Sequence, residues 1–151
     1  MSAAPVDLSK RRLKLWLRLL RTTRGAEAAL RAHLREAHGT TLPRFDVMAA
    51  LHRARGPLTM TELSRLLLVS NGNATAVVDR LEAEGLVRRA ASASDRRAVQ
   101  VALTPAGVEL FARLAVDHEA RVDRLFAALG PAEIEAITAA LKRLDGVEGR
   151  A

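Results

Sequence analysis

The chain contains no cysteine. That one absence excludes structural disulfides, thiol catalysis, cysteine redox sensing and cysteine-based zinc sites. No apolar run approaches the roughly 20 residues a helix needs to span a bilayer, so no membrane partner is expected. Lys10-Arg11-Arg12 before leucine-rich sequence has the outline of a signal peptide, but Lys14, Arg18 and Arg21 recur through the apolar stretch and leave it no uncharged core. A cytoplasmic location is expected. Catalytic signatures are also missing: there is no Gly-x-x-x-x-Gly-Lys phosphate loop and no nucleophile elbow, and the four histidines, His33, His38, His52 and His118, form no His-Glu-x-x-His pair. His33 and His38 are five apart, which places them on different faces of a helix. No enzyme, cofactor or metal site is expected.

What is present is a basic chain of 151 residues, 49% hydrophobic, with a net charge of +7. The size suits one compact domain or one protomer of a dimer, and the charge favours a polyanionic partner. The excess is uneven: residues 1–40 carry +6, residues 41–103 carry +3 and residues 104–151 carry −2. A nucleic-acid role would explain the middle segment, while the N-terminal excess needs a further account.

The middle segment is the most informative. Thr59 to Leu67 reads as a short helix, and Ser70 to Gly85 as a second helix with a polar face, Ser70 at its N-cap and Gly85 just past its end. Leu86 to Leu103 reads as a β-hairpin: Val99, Val101 and Leu103 alternate with Gln100 and Ala102, Ala91-Ser92-Ala93-Ser94 suits a flexible loop, and Asp95-Arg96-Arg97 lies at the tip. This is the layout of a winged helix-turn-helix, which places a helix in the DNA major groove.

Helices flank it. Leu8 to about Ala37 is helical in pattern, with Gly25 a place for a kink and His38-Gly39 a stop; about 30 residues would span about 45 Å, too long to be buried within so small a protomer. Thr41-Leu42-Pro43 opens a helix that Gly56-Pro57 breaks. Thr104-Pro105 caps a long helix whose Val108, Phe111, Ala115, His118, Val122, Leu125 and Leu129 follow a 3-4 heptad seam. Gly130-Pro131 starts a last helix with Ile134, Ile137, Leu141 and Leu144 at the same spacing. A helical dimer interface would bury these seams; packing against the first helix is the alternative. The fold expected is mainly α with a small β-hairpin wing, a winged helix-turn-helix at 41–103 flanked by a helical dimerisation region at 1–40 and 104–151.

The element order, with Leu42-Pro43-Arg44-Phe45-Asp46-Val47-Met48, Thr61-Glu62-Leu63-Ser64, Val78 to Arg89, and Asp95-Arg96-Arg97 leading to Val101-Ala102-Leu103-Thr104-Pro105-Ala106-Gly107, resembles the MarR (multiple-antibiotic-resistance regulator) family of bacterial transcription factors. Asp-x-Arg followed by Val-x-Leu-Thr in the wing is the most specific element, and the resemblance covers about residues 8–145. Within the family, Arg18-Leu19-Leu20-Arg21, Thr40 to Asp46 and Val69-Ser70-Asn71-Gly72-Asn73 are similar to repressors of aromatic-acid breakdown, particularly of hydroxycinnamates, some of which respond to the substrate's CoA thioester.

The resemblance implies a homodimer on a double-stranded, pseudo-palindromic DNA operator, acting as a repressor released by a small molecule. Ser70, Asn71, Asn73 and Thr75 would face the major groove, where asparagine suits adenine. Arg80 would bind phosphate or fix the wing through Asp95, Arg96 or Arg97 would enter the minor groove, and one of Arg88 and Arg89 would reach phosphate. The effector pocket, in the family between the dimer helices and the reader, points to Trp16, Arg18, Leu19, Arg44, Phe45, Met48 and His52, with Phe111. The surplus on residues 1–40 favours an anionic aromatic effector, the rival explanation being that this helix flanks DNA; for a CoA thioester, Arg11, Arg12, Arg18 and Arg21 would meet its phosphates. Against this stand an effector-independent architectural DNA binder, a zinc-responsive regulator, disfavoured by the lack of cysteine, and a basic protein-interaction module, disfavoured by the small polar recognition helix.

Overall fold

The computed structural model describes residues 7–67 and 73–145. It contains α1 (Leu8–His38), α2 (Leu42–Ala54), β1 (Leu58–Thr59), α3 (Met60–Leu66), α4 (Ala74–Ala83), β2 (Val87–Ala91), β3 (Val99–Leu103), α5 (Pro105–Leu125) and α6 (Pro131–Lys142). The strands form one antiparallel sheet in the order β1-β3-β2, with Val101 opposite both Leu58 and Arg89. The two-residue β1 is too short for a period-2 pattern and has no counterpart in the sequence reading.

The helices begin and end where local chemistry satisfies their free backbone groups. Asp7 caps α1, which runs unbroken through Gly25 to Gly39 in the left-handed region, φ 61°. The Thr41 hydroxyl accepts the Arg44 N–H at the start of α2. That helix ends on Arg55, φ 54°, one residue before the Gly56-Pro57 expected to break it. Thr59 and Glu62 form a reciprocal capping box on α3. At the end of α4, Gly85 (φ 74°) and Leu86 donate back to the carbonyls of Glu82 and Leu81, a Schellman arrangement.

The core is built around α2. Leu42, Phe45, Val47, Met48, Ala50 and Leu51 are all buried there, against Leu34 of α1, Leu63 of α3, Val78 and Leu81 of α4, Val87 and Val101 of the sheet, and Phe111 and Leu114 of α5. Six buried residues on a 13-residue helix mean that α2 is enclosed on several sides rather than along one stripe.

Phe111, Ala115 and His118 of the α5 seam turn inward, against the expectation of a dimer interface there, whereas Val108 stays exposed. Phe111 is only 8% exposed, Ala115 packs on the core, and His118 stacks on Phe45 with ring centroids 4.1 Å apart. Phe111 and His118 are covered within the chain by Phe45 of α2, where the alternative drawn from sequence names the first helix. Leu125 of α5, Ile134, Ile137 and Leu141 of α6, and Leu144 just past its end remain exposed, as do Leu13, Leu15, Trp16 and Leu17 near the start of α1.

A joint ties the wing to α5. The Thr104 hydroxyl donates to the Gly85 carbonyl at 2.6 Å and accepts the Gly107 N–H at 3.1 Å, while the Thr104 N–H donates to the Leu86 carbonyl at 3.1 Å. Gly107 is buried directly against Leu86.

Candidate nucleic-acid interface and effector region

Of the residues read as DNA contacts, Asn73, Thr75, Arg80, Arg88, Asp95, Arg96 and Arg97 are all exposed on α4 and the wing; Ser70 and Asn71 lie outside the described residues. The N-cap of the recognition helix α4 is Asn73, not Ser70: its Oδ1 accepts the Ala76 N–H at 3.4 Å. A side chain so engaged keeps both amide N–H groups and one lone pair of its oxygen for other partners, while the capping bond restricts how it can turn.

The structure separates committed arginines from uncommitted ones. Arg89 is held by Asp79 at 2.6 Å and Glu82 at 3.0 Å, and its backbone N–H also donates to Glu82 at 2.9 Å. The Asp79 hydrogen bond first, then Glu82, pushes the Arg89 pKa up. Arg44 forms a two-pronged pair with Glu84 that ties α2 to the end of α4, and this hydrogen bond holds Glu84 below the usual carboxylate range. Arg80, Arg88, Arg96 and Arg97 have no ion-pair partner among the described residues. Of the Arg88 and Arg89 pair, Arg88 is thus the exposed one without an ion-pair partner among the described residues.

The wing tip is shaped by Asp95 in a way the sequence reading did not anticipate. Its carboxylate accepts the Arg97 N–H at 2.9 Å and its carbonyl the Ala98 N–H at 3.1 Å. No Arg80–Asp95 contact occurs among the described residues; the aspartate folds its own turn, an Asx device, and leaves both neighbouring guanidinium groups projecting. Nor is the preceding loop merely flexible: Ser92 is buried, its N–H donates to the Ala98 carbonyl at 2.9 Å, and its hydroxyl pairs with that of Ser94 at 3.0 Å.

A groove of about 400 Å³ lies between α3 and the start of α4, lined by Met60, Thr61, Ser64, Arg65 and Thr75. Thr61 and Ser64 enter the sequence reading only as part of the family pattern and the short helix, and Arg65 only within that helix; none is assigned to a site. Their i, i+3, i+4 spacing on a short helix was the available signal of a shared polar face.

The nine residues read as effector-binding do not meet in one pocket of a single chain. Phe45, Met48 and Phe111 are core, and Arg44 is committed to Glu84. His52 packs on Phe111 at 4.7 Å between centroids and borders a cavity of about 300 Å³ with Leu51, Arg55, Gly56, Ala102, Leu103 and Val108. Arg21 borders a second hollow of about 410 Å³ between α1 and the end of α5, which includes Leu125, Phe126 and Leu129. Trp16 is 57% exposed, Arg18 is exposed and Leu19 half-buried. Eighteen residues of helix, roughly 27 Å, separate Trp16 from Leu34, where α1 enters the core.

The histidines also differ from the sequence reading. His33 and His38, though five apart on α1, both reach Asp117 of α5: each Nε2 lies 2.6 Å from the same Oδ2. His38 is the last helical residue, and α5 passes where a carboxylate can fall between the two rings. The hydrogen bond from His38 first, then that from His33, lowers the Asp117 pKa. Next to it, His118 has a buried Nδ1 with no partner, and burial depresses its pKa. Burial likewise raises Asp46, on α2, to about 6, aided by Glu27 and opposed by Arg53 and Arg31.

Comparison with known proteins matches residues 38–98 to the model of the MarR family. The chain is 31% identical over 137 residues to the HTH-type transcriptional regulator MhqR of Bacillus subtilis, covering 91% of this chain and 93% of that one. Among solved structures it resembles a MarR family transcriptional regulator from Silicibacter pomeroyi, with a TM-score of 0.79 and 30% identity over 96% of this chain and 99% of that one. It also resembles Bordetella bronchiseptica BpsR, whose DNA binding is regulated by 6-hydroxynicotinic acid, with a TM-score of 0.73 and 26% identity over 85% of this chain and 90% of that one. These relatives are transcriptional regulators, not enzymes. No helix among the described residues is long and apolar enough to cross a membrane.

Proposed function

The chain belongs to the MarR family of transcriptional regulators, and from that premise we propose that it is a cytoplasmic, dimeric repressor released from its operator by a small anionic aromatic molecule. The observation that carries the DNA reading is the split among the arginines. Arg89 and Arg44 are spent on internal carboxylates, whereas Arg80, Arg88, Arg96 and Arg97 stand exposed on one device, the recognition helix and its wing. Uncommitted guanidinium groups beside a narrow polar helix supply phosphate and minor-groove contacts, while Thr75 and the Asn73 amide supply donors to base edges.

Dimerisation is supported by what one chain leaves uncovered. Ile137 and Leu141 of α6 are 43% and 42% exposed, and the apolar start of α1 is equally bare. A second copy covers both faces and sets two recognition helices on half-sites about 34–36 Å apart, one turn of DNA. The reader at 41–103 and the dimerising flanks at 1–40 and 104–151 divide the work.

The effector reading rests on the cavity beside His52 and on the basic N-terminal arm. The first offers the His52 ring, Arg55 and an aliphatic wall of Leu51, Leu103 and Val108; in the second, Arg11, Arg12, Arg18 and Arg21 have no acidic partner among the described residues. A compact aromatic acid suits the former, and a CoA thioester of a hydroxycinnamate would use the phosphate-binding capacity of the latter. The acid named for BpsR belongs to the same chemical class. An occupant between α2, α5 and the wing would change the spacing of the two readers.

The test is fluorescence anisotropy with DNA from upstream of the protein's own gene, adding p-coumarate, ferulate, their CoA thioesters and 6-hydroxynicotinate. Release by a free acid supports the His52 cavity alone. Release by a thioester only assigns the N-terminal arginines to its phosphates. Specific binding that none of them relieves removes this effector class, and binding without sequence preference makes the protein architectural.

A further inference from the structure

We propose that His33, His38 and Asp117 form a binding site for one divalent transition-metal ion of the zinc type. Three donor atoms, the two imidazole Nε2 and a carboxylate oxygen, lie within 4.8 Å of one another. The two rings stand edge to face, 82° apart with centroids 6.0 Å apart, so they approach the shared oxygen from different directions, as ligands around an ion do. Two imidazoles and one carboxylate suit zinc, cobalt or nickel; calcium and magnesium prefer oxygen alone.

The dimensions fit with a small adjustment. Zinc holds nitrogen and oxygen at about 2.0–2.2 Å, so neighbouring tetrahedral donors stand roughly 3.3 Å apart. The present contacts are 2.6 Å; each must open by about 0.7 Å, and the two Nε2, already within 4.8 Å of each other, must take the same spacing, which side-chain rotations on a partly open surface allow. Each ring then coordinates through Nε2 and keeps its hydrogen on Nδ1. The side chains are 21%, 27% and 36% exposed, which gives the ion a path in, and three protein ligands leave a fourth position for water. Bound there, the ion would clamp the last turn of α1 to the middle of α5, one residue from the His118 ring that rests on Phe45. The site is separate from the DNA face and from the His52 cavity, and the inference does not depend on either.

The test uses the untagged full chain, stripped of metal and titrated with Zn²⁺ against a chromophoric chelator, with Co²⁺ as a spectroscopic substitute. One ion per chain and visible cobalt bands are expected. His38→Gln and Asp117→Asn, both conservative and both checked for fold by circular dichroism, should each weaken Zn²⁺ binding at least about tenfold, since even outer-shell partners are worth 10–100-fold. A double variant at His33 and His38 should lose the cobalt bands. Absence of Zn²⁺ binding by the unaltered chain, or wild-type affinity in the double variant, overturns the proposal. Because neither DNA nor effector is present, that failure leaves the regulatory reading untouched.

Discussion

Replacing Gly107 with alanine should destabilise the protein, although the helix rules by themselves predict the reverse. Gly107 lies in the first turn of α5, and alanine is the better helix former by about 1 kcal/mol. However, a Cβ at that position would stand 2.0 Å from the Leu86 carbonyl oxygen, 3.0 Å from its carbon and 3.2 Å from Leu103 Cδ2. The first two are backbone, so no rotamer relieves them; the start of α5 must move off the base of the wing. That carbonyl is the acceptor of the Thr104 N–H, and Thr104 itself bonds Gly85 and Gly107, so displacement strains the whole joint. Overpacking costs about 1–3 kcal/mol, with the upper end apt for an immovable neighbour, and loss of one buried hydrogen bond about 1 more. Against the propensity gain, the net is about 2–3 kcal/mol of destabilisation, or a melting point lower by roughly 5–10 °C for a chain of this size.

The assay is thermal and urea unfolding of both proteins at one concentration, because dimerisation makes apparent stability concentration-dependent. Anisotropy on operator DNA should show weakened binding in parallel, since the joint sets the angle between wing and α5. A Gly107→Ala protein as stable as the parent, or more so, would refute the close approach and with it the account of how the reader is fastened to the long helix.

Three further substitutions test other parts. Arg97→Ala should leave stability unchanged, weaken operator binding roughly tenfold or more, and flatten the dependence of log affinity on log salt by about two, one contact per protomer; a gel shift at wild-type affinity would remove Arg97 from the interface. Asp46→Asn tests the raised carboxyl. A folded-state pKa of about 6 against an ordinary 3.8 means that Asp46 supports the fold below about pH 4 and loses that support as pH rises through 6. The asparagine variant should therefore match the parent near pH 4 and exceed it above pH 7, by at most about 3 kcal/mol and less in proportion to the water that reaches the site; unfolding curves whose difference does not change with pH contradict it. Ile137→Glu with Leu141→Glu should convert the dimer to monomer by sedimentation velocity and cost roughly 10²-fold or more in operator affinity as the second half-site is lost; an unchanged dimer would mean that α6 is not the interface.

Much of the fold was legible because its punctuation is local. Thr104-Pro105 at the head of α5, Gly85 past α4, Thr41 and Gly39 around the second loop each act through a bond a few residues long, and the alternation in Val99-Gln100-Val101 fixes which strand face meets the core. What failed was choice among equals and contact at a distance. Ser70, Asn71 and Asn73 are comparable caps, and the sequence offered no reason to prefer Asn73. Asp95 could bond across to Arg80 or within its own turn; the short loop geometry of Arg97 and Ala98 decided for the turn. His33 and His38 do lie on different helix faces, but both reach Asp117, which is some eighty residues on and placed by how α5 crosses α1.

The heptad of α5 shows the same limit in its most consequential form. A 3-4 repeat states that a face is covered; it does not state whose atoms cover it. Here Phe45, on a helix that the sequence places sixty residues earlier, takes Phe111 and His118, so the upper seam is spent within the chain. The effector set was blurred by the same ambiguity, since Phe45, Met48 and Phe111 have the composition of a pocket wall and the burial of a core. The apolar surface left uncovered lies on the first turns of α1, on α6, where no residue is buried, and on Val108, Val116 and Leu125 of α5.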